Sequence, residues 1–417
     1  NNLLGNVVGI SEESVAVIVT LEDNQTTLPD DFKVESEYET INMVTLNVTK
    51  DSFKELIKQD NVEQITLQRT LSINLDDSLS QVGANNAHNL QIAGINVTGV
   101  NQAVCIIDSG IAASHPSLIT RVVAQKCYCS LSGGCCPDST SEDDNASDDN
   151  GHGTHVAGIV ASNDSTYRGI APDAKIVALK VCNSAGTCSD NDLGLAIDWC
   201  IENKNTYNIS VITVSIGSTT VYASVATCPS TLDDEIDNAT GNGIFVDFSS
   251  GNSVSSSGIS YPACSPNATS VGSVDKSDAI PSYSNSNILL DILAPGGSAN
   301  DCINGICSAN YQGGFKGLKG TSMASPHVAG AALLINQYWQ GVYNRNISPE
   351  YLRQKIKVVG LDINDTRNGL VFPRLDVLAS LQPYINYTNS SIANASSTNA
   401  TNILINISSD VNLTNAI

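Results

Sequence analysis

Four continuous apolar runs constrain the fold of this chain more than any other feature of its sequence. They cover residues 104–107, 175–181, 211–215 and 244–248. Strands buried on both faces of a parallel sheet have this pattern, whereas strands with one solvated face alternate. Stretches with helical spacing separate the runs, for example at Leu193, Ile197, Cys200 and Ile201. The sequence therefore predicts an α/β fold with a doubly wound, mostly parallel sheet flanked by helices, which binds ligands at the carboxyl ends of its strands.

The segment 320–330 contains a candidate nucleophile. Small residues around Ser322 allow a tight bend that leaves the hydroxyl exposed, and the apolar run 331–335 predicts a buried helix. The N-terminus of such a helix carries a partial positive charge. A serine hydroxyl also needs a base and a carboxylate that orients the base. His152 lies between two glycines and Asp108 follows the first apolar run, so these two residues are the candidates for those roles.

Three segments of the chain resemble the signatures of the subtilisin-like serine proteases. They are Asp-Ser-Gly-Ile from Asp108, Gly-His-Gly-Thr-His-Val-Ala-Gly from Gly151, and Gly-Thr-Ser-Met-Ala-Ser-Pro-His from Gly320. They follow one another in the family's order of Asp, His and Ser. The resemblance implies a serine endopeptidase in which Asp108, His152 and Ser322 form a catalytic triad.

The resemblance assigns roles to two further segments. An Asn after a Gly, as at Asn252, would alone indicate a turn, but the resemblance implies that Asn252 stabilises the oxyanion. Ser215, Ile216 and Gly217 are similar to the edge along which the family's substrates add as a strand. An ordinary strand end with a turn glycine is an equal alternative for these three residues.

A primary specificity pocket is the third implied feature. Ser249, Ser250 and Gly251 would form its walls and Ser260 its floor. Because Ser260 is small and uncharged, we expect a roomy pocket that takes apolar or aromatic side chains.

The first part of the chain, residues 1–76, is predicted to form a separate small domain. Apolar patterns there predict strands at 14–21, 32–38, 41–48 and 62–67 and a helix at 50–59. This arrangement is similar to the inhibitory propeptide of subtilases, a small α+β fold that assists folding of the protease and then fills its cleft. A generic interaction domain is the alternative.

The resemblance also implies the remaining domain organisation. We expect a self-cleavage site between Leu71 and Asp77 and a catalytic domain at 77–382. Residues 383–417 are rich in Asn, Ser and Thr with repeated Asn-x-Ser/Thr sequons, which predicts a glycosylated tail or stalk. The expected partners are protein or peptide substrates and the chain's own N-terminal domain.

Composition excludes some classes of function. The net charge is −22 and the pI is near 4.3, which argues against nucleic-acid binding. No run of about twenty apolar residues occurs, so no membrane-spanning segment is predicted. The chain begins at Asn1 without a Met, and we expect that a signal peptide has been removed from a secreted or cell-surface protein.

The twelve cysteines also favour an oxidising compartment. Short polar loops predict the disulfides Cys182–Cys188 and Cys302–Cys307. The four cysteines of the loop 127–136 are expected to form disulfides, with a zinc site as the alternative. Two further cysteines in apolar patterns are predicted to be buried free thiols, namely Cys105 and Cys200.

The chemistry implied by the resemblance requires no cofactor, and the sequence leaves any metal ligands unknown. The acidic run 142–149 offers carboxylate oxygens for a structural calcium ion, although a solvated acidic loop is the favoured interpretation. His155 and His327 lie in small, apolar helical patterns and are predicted to be core residues. His88 is predicted to be a surface residue.

Together these features predict a secreted serine endopeptidase with broad, apolar-preferring specificity that is made as a self-processing zymogen. The alternative from another class is a catalytically silent scaffold retained for binding. An esterase of the α/β-hydrolase kind would carry a strand-turn-helix Gly-x-Ser-x-Gly motif, which the sequence lacks.

Overall fold

The computed structural model describes residues 15–22, 28–29, 31–38, 42–67 and 77–381. The chain divides into two compact units, Asn1–Asn74 and Leu75–Ile417. Nearly all of the predicted cleavage segment and the whole predicted tail lie outside the described residues. Across the described part of the chain, no helix is both long and apolar enough to cross a bilayer.

The N-terminal unit is a four-stranded antiparallel sheet with one helix. Its elements are β1 (Val15–Leu21), β2 (Val34–Glu37), β3 (Met43–Val48), α1 (Lys50–Leu56) and β4 (Val62–Leu67). The strands lie in the order β2-β3-β1-β4. Thr49 and Ser52 form a capping box that starts α1, and Val19, Leu46 and Leu56 belong to the core. The predicted strands and helix are confirmed, with shorter bounds for β2, β3 and α1.

The C-terminal unit contains sixteen strands and nine helices among its described residues. In chain order, its strands are β5 (Gln91–Ile92), β6 (Ile95–Asn96), β7 (Ala103–Asp108), β8 (Val122–Tyr128), β9 (Glu142–Asp143), β10 (Lys175–Lys180), β11 (Ile209–Val214), β12 (Val221–Tyr222), β13 (Phe245–Ser249), β14 (Ile259–Ser260), β15 (Thr269–Val274), β16 (Ile292–Pro295), β17 (Ile306–Ala309), β18 (Phe315–Leu318), β19 (Leu361–Asp365) and β20 (Leu370–Arg374). Its helices are α2 (Asp77–Gln81), α3 (Ala84–His88), α4 (His152–Ala161), α5 (Asp190–Glu202), α6 (Lys204–Tyr207), α7 (Asp233–Gly241), α8 (Thr321–Tyr343), α9 (Pro349–Val358) and α10 (Val377–Leu381).

Ten of these strands form one sheet, in the order β19-β20-β16-β15-β13-β11-β7-β10-β8-β9. The eight inner strands are parallel, and the antiparallel strands β9 and β19 lie at the two edges. All six residues of β7 are buried, as expected for a strand with helices on both faces of its sheet. The predicted α/β fold with a mostly parallel sheet is confirmed.

Two hydrophobic cores lie on opposite faces of this sheet. Successive strand residues point to opposite faces, so β7 contributes Val104 and Ile106 to one core and Cys105 and Ile107 to the other. The first core packs α4 and α8 against the sheet, and the second packs α5 and α7. The sheet therefore positions the N-termini of α4 and α8 on one face.

Disulfides pair all twelve cysteines, which lie within the described residues. The predicted pairs Cys182–Cys188 and Cys302–Cys307 are confirmed. Two disulfides within the loop 127–136 rule against the zinc alternative there, because their sulfurs are bonded to one another. The remaining pairs are Cys228–Cys264 and Cys105–Cys200.

The prediction that Cys105 and Cys200 are free thiols is wrong. Cys105 lies on β7 and Cys200 on α5, and they form a disulfide with a Cα–Cα distance of 6.3 Å. They are 95 residues apart in sequence, so no local spacing indicates the pairing. Their apolar surroundings, which suggested buried thiols, are the interface between α5 and the sheet.

The prediction that His88 lies on the surface is also wrong. The residue is 6% exposed, and its Nε2 lies 2.8 Å from the backbone oxygen of Ile170. Burial lowers the pKa of His88. The short helix α3 is polar in sequence, so only its packing on the larger unit reveals that this imidazole is enclosed.

We predict that the Cys105–Cys200 disulfide stabilises the folded C-terminal unit more than the Cys182–Cys188 disulfide does. Replacing both cysteines with alanine should lower the free energy of unfolding by about 4–5 kcal/mol, because the disulfide closes a long loop. The Cys182→Ala, Cys188→Ala variant is the control and should lose about 2 kcal/mol, because its loop is short. Urea denaturation followed by circular dichroism measures both, and equal losses would contradict the prediction.

Candidate active site

The Asp108 carboxylate and the His152 imidazole are in direct contact. Asp108 ends β7 and is 2% exposed, and His152 is the first residue of α4. His152 Nδ1 lies 2.8 and 3.0 Å from the two carboxylate oxygens of Asp108. Because a carboxylate only accepts hydrogen bonds, Nδ1 carries the proton and Nε2 keeps the lone pair that a base requires.

The glycines on either side of His152 allow α4 to start close to β7. A Cβ atom on Gly153 would lie 2.2 Å from the backbone oxygen of Gly110. Gly151 has a φ of +97°, and a Cβ atom there would lie 2.5 Å from the ring of Tyr311. Only glycine fits both positions, which explains why the sequence surrounds this histidine with glycines.

The pKa of His152 reflects two opposed effects. Burial lowers the pKa, but the charge of Asp108 and its hydrogen bond to the ring raise it more, so that it lies above the ordinary value of 6.5. The carboxylate of Asp148 raises it further, and the ammonium of Lys316 lowers it. The Asp108 carboxylate thus stabilises the imidazolium that forms when His152 takes up a proton.

Ser322 lies at the start of α8, as the sequence predicts. It is the second residue of the helix and is half-buried. Its hydroxyl donates to the backbone oxygen of Ser215 at 3.2 Å, and the Ser215 hydroxyl donates to the backbone oxygen of Ser322 at 2.9 Å. This reciprocal pair ties the first turn of α8 to the end of β11.

Thr321 orients Asn252, a role that the sequence analysis missed. The amide oxygen of Asn252 accepts the Thr321 N–H at 2.9 Å and lies 3.2 Å from the Thr321 hydroxyl, which in turn accepts the N–H of Gly251 at 3.1 Å. Because the Thr321 N–H needs an acceptor, the amide oxygen of Asn252 faces Thr321. The NH₂ group of Asn252 is therefore free to donate to another group. The Thr that directly precedes Ser322 was the available sequence clue.

A cleft of about 350 Å³ brings most of the predicted site residues together. Its lining includes Asp108, His152, Ser322, Asn252, Ser215, Ile216, Gly217, Ser249 and Gly251. The cleft lies at the carboxyl ends of β7, β11 and β13, where a doubly wound sheet binds its ligands.

Ser250 and Ser260 lie behind the cleft wall rather than on its surface. Both residues are fully buried, and both form a hydrogen bond with Asn285. The Ser250 hydroxyl donates to the backbone oxygen of Asn285 at 2.9 Å, and the side-chain amide of Asn285 donates to the Ser260 hydroxyl at 3.3 Å. A Cβ atom on Gly251 would lie 2.0 Å from Ser260 Oγ. The absence of a side chain at Gly251 is therefore what lets Ser260 approach the cleft, and its role as the pocket floor stays a prediction.

The opposite wall of the cleft contains residues that the sequence analysis did not assign to the site. This wall is lined by Cys182, Gly186 and Cys188. The Cys182–Cys188 disulfide closes the loop that carries Gly186. Asn150, two residues before His152, donates to the backbone oxygen of Ser184 in this loop at 3.0 Å. The wall is thus linked directly to the segment that carries the candidate base.

The acidic run before His152 is engaged in contacts within the protein. Glu142 and Asp144 pair with Lys126 at 2.8 and 2.9 Å, and Asp149 pairs with the buried Lys180 at 2.7 Å. Within the described ranges, no group of three or more His, Cys, Asp or Glu side chains is placed to hold a metal ion. A structural calcium ion, the less favoured of the two interpretations of this run, stays a prediction.

His155 and His327 are core residues, as predicted. The Nε2–H of His155 donates to the backbone oxygens of Ile306 and Lys316 at 3.1 and 3.0 Å, and the Nδ1–H of His327 donates to that of Met323 at 2.8 Å. Burial lowers the pKa of His155 to about 3 and that of His327 to about 4. Both rings are therefore neutral near pH 7 and hold structure.

Known proteins are similar to this chain in sequence and in fold. A family model described as the subtilase family matches residues 99–359. The chain is 33% identical to Subtilisin E of Bacillus subtilis (strain 168) over 73% of this chain and 72% of that protein. It is 30% identical to the thermostable alkaline protease of Halalkalibacterium halodurans over 88% and 93% of the two chains. A solved cold adapted subtilisin-like serine proteinase has a TM-score of 0.55 and 29% identity, covering 71% of this chain and 97% of its own.

We predict that Lys316 adjusts the pKa of His152 through its charge. The Lys316→Gln variant should move the acidic limb of the pH profile of kcat/KM to higher pH, because loss of a positive charge favours the imidazolium and a base must be neutral to accept a proton. Hydrolysis of a chromogenic peptide across the pH range measures this. Lys319→Gln, a neighbouring exposed lysine, is the control, and a limb that stays in place or moves to lower pH in Lys316→Gln would contradict the prediction.

Proposed function

This chain belongs to the subtilase family of serine endopeptidases, and we propose that Ser322, His152 and Asp108 carry out its peptide-bond hydrolysis. The observation that carries the proposal is the Asp108–His152 hydrogen bond within the cleft that also contains Ser322. A buried carboxylate that orients a half-exposed imidazole in the same cleft as a helix-start serine is the arrangement that nucleophilic catalysis requires.

The proposed mechanism is acyl transfer. The Ser322 hydroxyl turns from the Ser215 oxygen toward His152 Nε2, loses its proton to that nitrogen and attacks the peptide carbonyl. His152 then donates the proton to the leaving amine, and water repeats the sequence to release the acid. Asp108 keeps the ring oriented and stabilises its charge.

Asn252 is proposed to stabilise the oxyanion. Its NH₂ group would donate to the tetrahedral intermediate together with the Ser322 N–H at the start of α8. The hydrogen bonds of Thr321 support this role, because they hold the amide before substrate binds and so avoid the cost of reorienting it during the reaction.

The substrate is proposed to be a protein or peptide that extends along Ser215, Ile216 and Gly217 and places an apolar or aromatic side chain between that edge and Ser249–Gly251. Among the described residues that line the cleft, Asp108 is the one carboxylate, and His152 covers it. With no other charge in the lining, nothing there would favour Lys or Arg in the pocket.

We further propose that the protein is a secreted zymogen. Disulfides at all twelve cysteines support an oxidising compartment. The compact N-terminal unit supports an inhibitory domain, and the proposed cut lies between Leu71 and Asp77. The catalytic residues all follow this cut, so removal of the N-terminal unit would leave the site complete.

We predict that Ser322→Ala lowers kcat about 10⁶-fold, the size of loss known for the serine of subtilisin itself. A fluorophosphonate probe should label the parent protein on Ser322 and should not label the variant. Ser265→Ala, which changes a buried serine outside the cleft, should retain labelling and activity. An unlabelled, inactive parent would instead support the silent binding scaffold.

We predict that the parent removes its own N-terminal unit, whereas Ser322→Ala keeps it. Intact mass and N-terminal sequencing should place the new N-terminus between residues 72 and 77 in the parent alone. Separately produced residues 1–76, added to the processed enzyme at micromolar concentration, should inhibit it, because the product of cleavage still fills the cleft. A fully active parent with an unprocessed N-terminus would contradict the zymogen proposal.

A further inference from the structure

Asp247 is a buried carboxyl group for which the catalytic mechanism has no use. It lies on β13 and is fully buried. Its Oδ1 accepts hydrogen bonds from the hydroxyls of Thr213, at 2.8 Å, and Ser325. Its Oδ2 has no hydrogen-bond partner among the described residues. Both partners are neutral, so an ionised Asp247 would be a buried anion without a countercharge.

The three residues of this network lie directly beneath the proposed site. Thr213 precedes Ser215 by two positions on β11, and Asp247 precedes Ser249 by two on β13. Residues two apart on a strand share a face, and this face packs against α8. Ser325 follows Ser322 by almost one turn of that helix. One carboxyl group therefore joins the three elements that present the nucleophile, the substrate edge and the oxyanion donor.

The described residues that pack around Asp247 do not supply a positive charge that would offset the cost of burying its carboxylate. Burial raises the pKa of Asp247 to about 7, although the hydrogen bonds from Ser325 and Thr213 act in the opposite direction. Its in-register neighbour on β15 is Thr269, which is not charged. On α9, which also packs against β13, the buried titratable group is Lys355, and its ammonium forms no ion pair with Asp247. The acidic side chains of α7 lie on the other side of the sheet, where Ile236 packs.

We propose that Asp247 is a positioning residue, a role that rests on the proposed function of Ser322. As a neutral carboxylic acid it holds α8 against β11 and β13, and its ionisation destabilises this packing by placing a charge in the core. With its proton on Oδ1, the acid donates to one hydroxyl and accepts from the other. The anion would accept from both hydroxyls but would be buried without a countercharge, at a large desolvation cost. Activity and stability should therefore both fall as Asp247 loses its proton.

The sign of the pH dependence follows from linkage. In the unfolded chain Asp247 ionises near its ordinary pKa of 3.8, whereas in the folded protein it keeps its proton up to about 7. The folded state therefore binds more protons between these values, so the contribution to stability is complete below pH 4 and is lost as the pH rises to about 7.

Asp247→Asn tests the proposal, because an amide keeps the shape and the hydrogen bonds but cannot ionise. At pH 5 its kcat/KM should equal that of the parent within about twofold, since an amide oxygen in the Oδ1 position accepts from both hydroxyls. Above pH 8 it should retain several-fold more of its maximal kcat/KM than the parent.

The melting temperature provides a second test, measured in a Ser322→Ala background that prevents self-digestion. When Asp247 is unchanged, the melting temperature should fall between pH 4 and pH 7. This fall should be smaller when Asp247→Asn is added.

Two controls separate positioning from general stability. Asp192→Asn changes another buried carboxyl bonded to neutral donors, the Ser130 N–H and hydroxyl, and should leave the alkaline limb unchanged. Asp247→Val removes the hydrogen bonds and should lower kcat at every pH. A difference infrared spectrum of parent minus Asp247→Asn at pH 5 should contain the carbonyl stretch of a protonated acid.

Two outcomes would overturn the proposal. They are an ionised carboxylate in the infrared spectrum at pH 5, and identical alkaline limbs for the parent and Asp247→Asn. The infrared and melting measurements do not depend on turnover, so they remain informative if Ser322 proves not to be the nucleophile. Failure of the triad would appear separately as fluorophosphonate labelling that does not depend on Ser322.

Discussion

The carboxyl ends of β7, β11 and β13 lie side by side at one edge of the sheet, and every candidate catalytic group depends on that arrangement. β7 ends at Asp108, β11 leads into Ser215 and β13 leads toward Asn252. The N-termini of α4 and α8 approach the same edge and bring His152 and Ser322 into the cleft. Parallel strands make this convergence possible, because all of their carboxyl ends point the same way.

Two carboxyl groups of the same sheet face different environments. Asp108 accepts the N–H of Ser109 and the ring N–H of His152. Asp247 has only two hydroxyl partners and complete burial, which favour the acid. The first arrangement orients an imidazole in the cleft, and the second joins β13 to β11 and α8 in the core. Local donors, rather than residue type, decide between the two.

Neutral hydrogen bonds and disulfides organise the walls of the cleft. Thr321 holds Asn252 on one side, and Asn285 joins the two serines behind Gly251. On the other side the Cys182–Cys188 disulfide closes the loop that lines the cleft. Groups that are held in place before substrate arrives do not have to be ordered during the reaction, which is the physical basis of preorganised catalysis. This organisation uses few charged side chains, in keeping with a chain in which only 15% of residues are charged.

The sequence by itself determined those features that depend on local pattern. Continuous apolar runs predicted the parallel strands, glycines marked the segments of His152 and Ser322, and short spacing predicted the Cys182–Cys188 pair. Each of these follows from neighbours along the chain, because strand burial, backbone freedom and small-loop closure act over a few residues. The roles of the triad residues rested on the family resemblance in addition.

Only the tertiary structure decided the features that join distant segments. The Cys105–Cys200 disulfide links a strand to a helix 95 residues away, and His88 is enclosed by packing around Ile170. The hydrogen bond of Thr321 to Asn252 joins residues 69 positions apart, and that of Ser325 to Asp247 joins residues 78 positions apart. Burial and hydrogen-bond partnership are properties of three-dimensional neighbours, so a sequence pattern that records only the order of residues does not contain them.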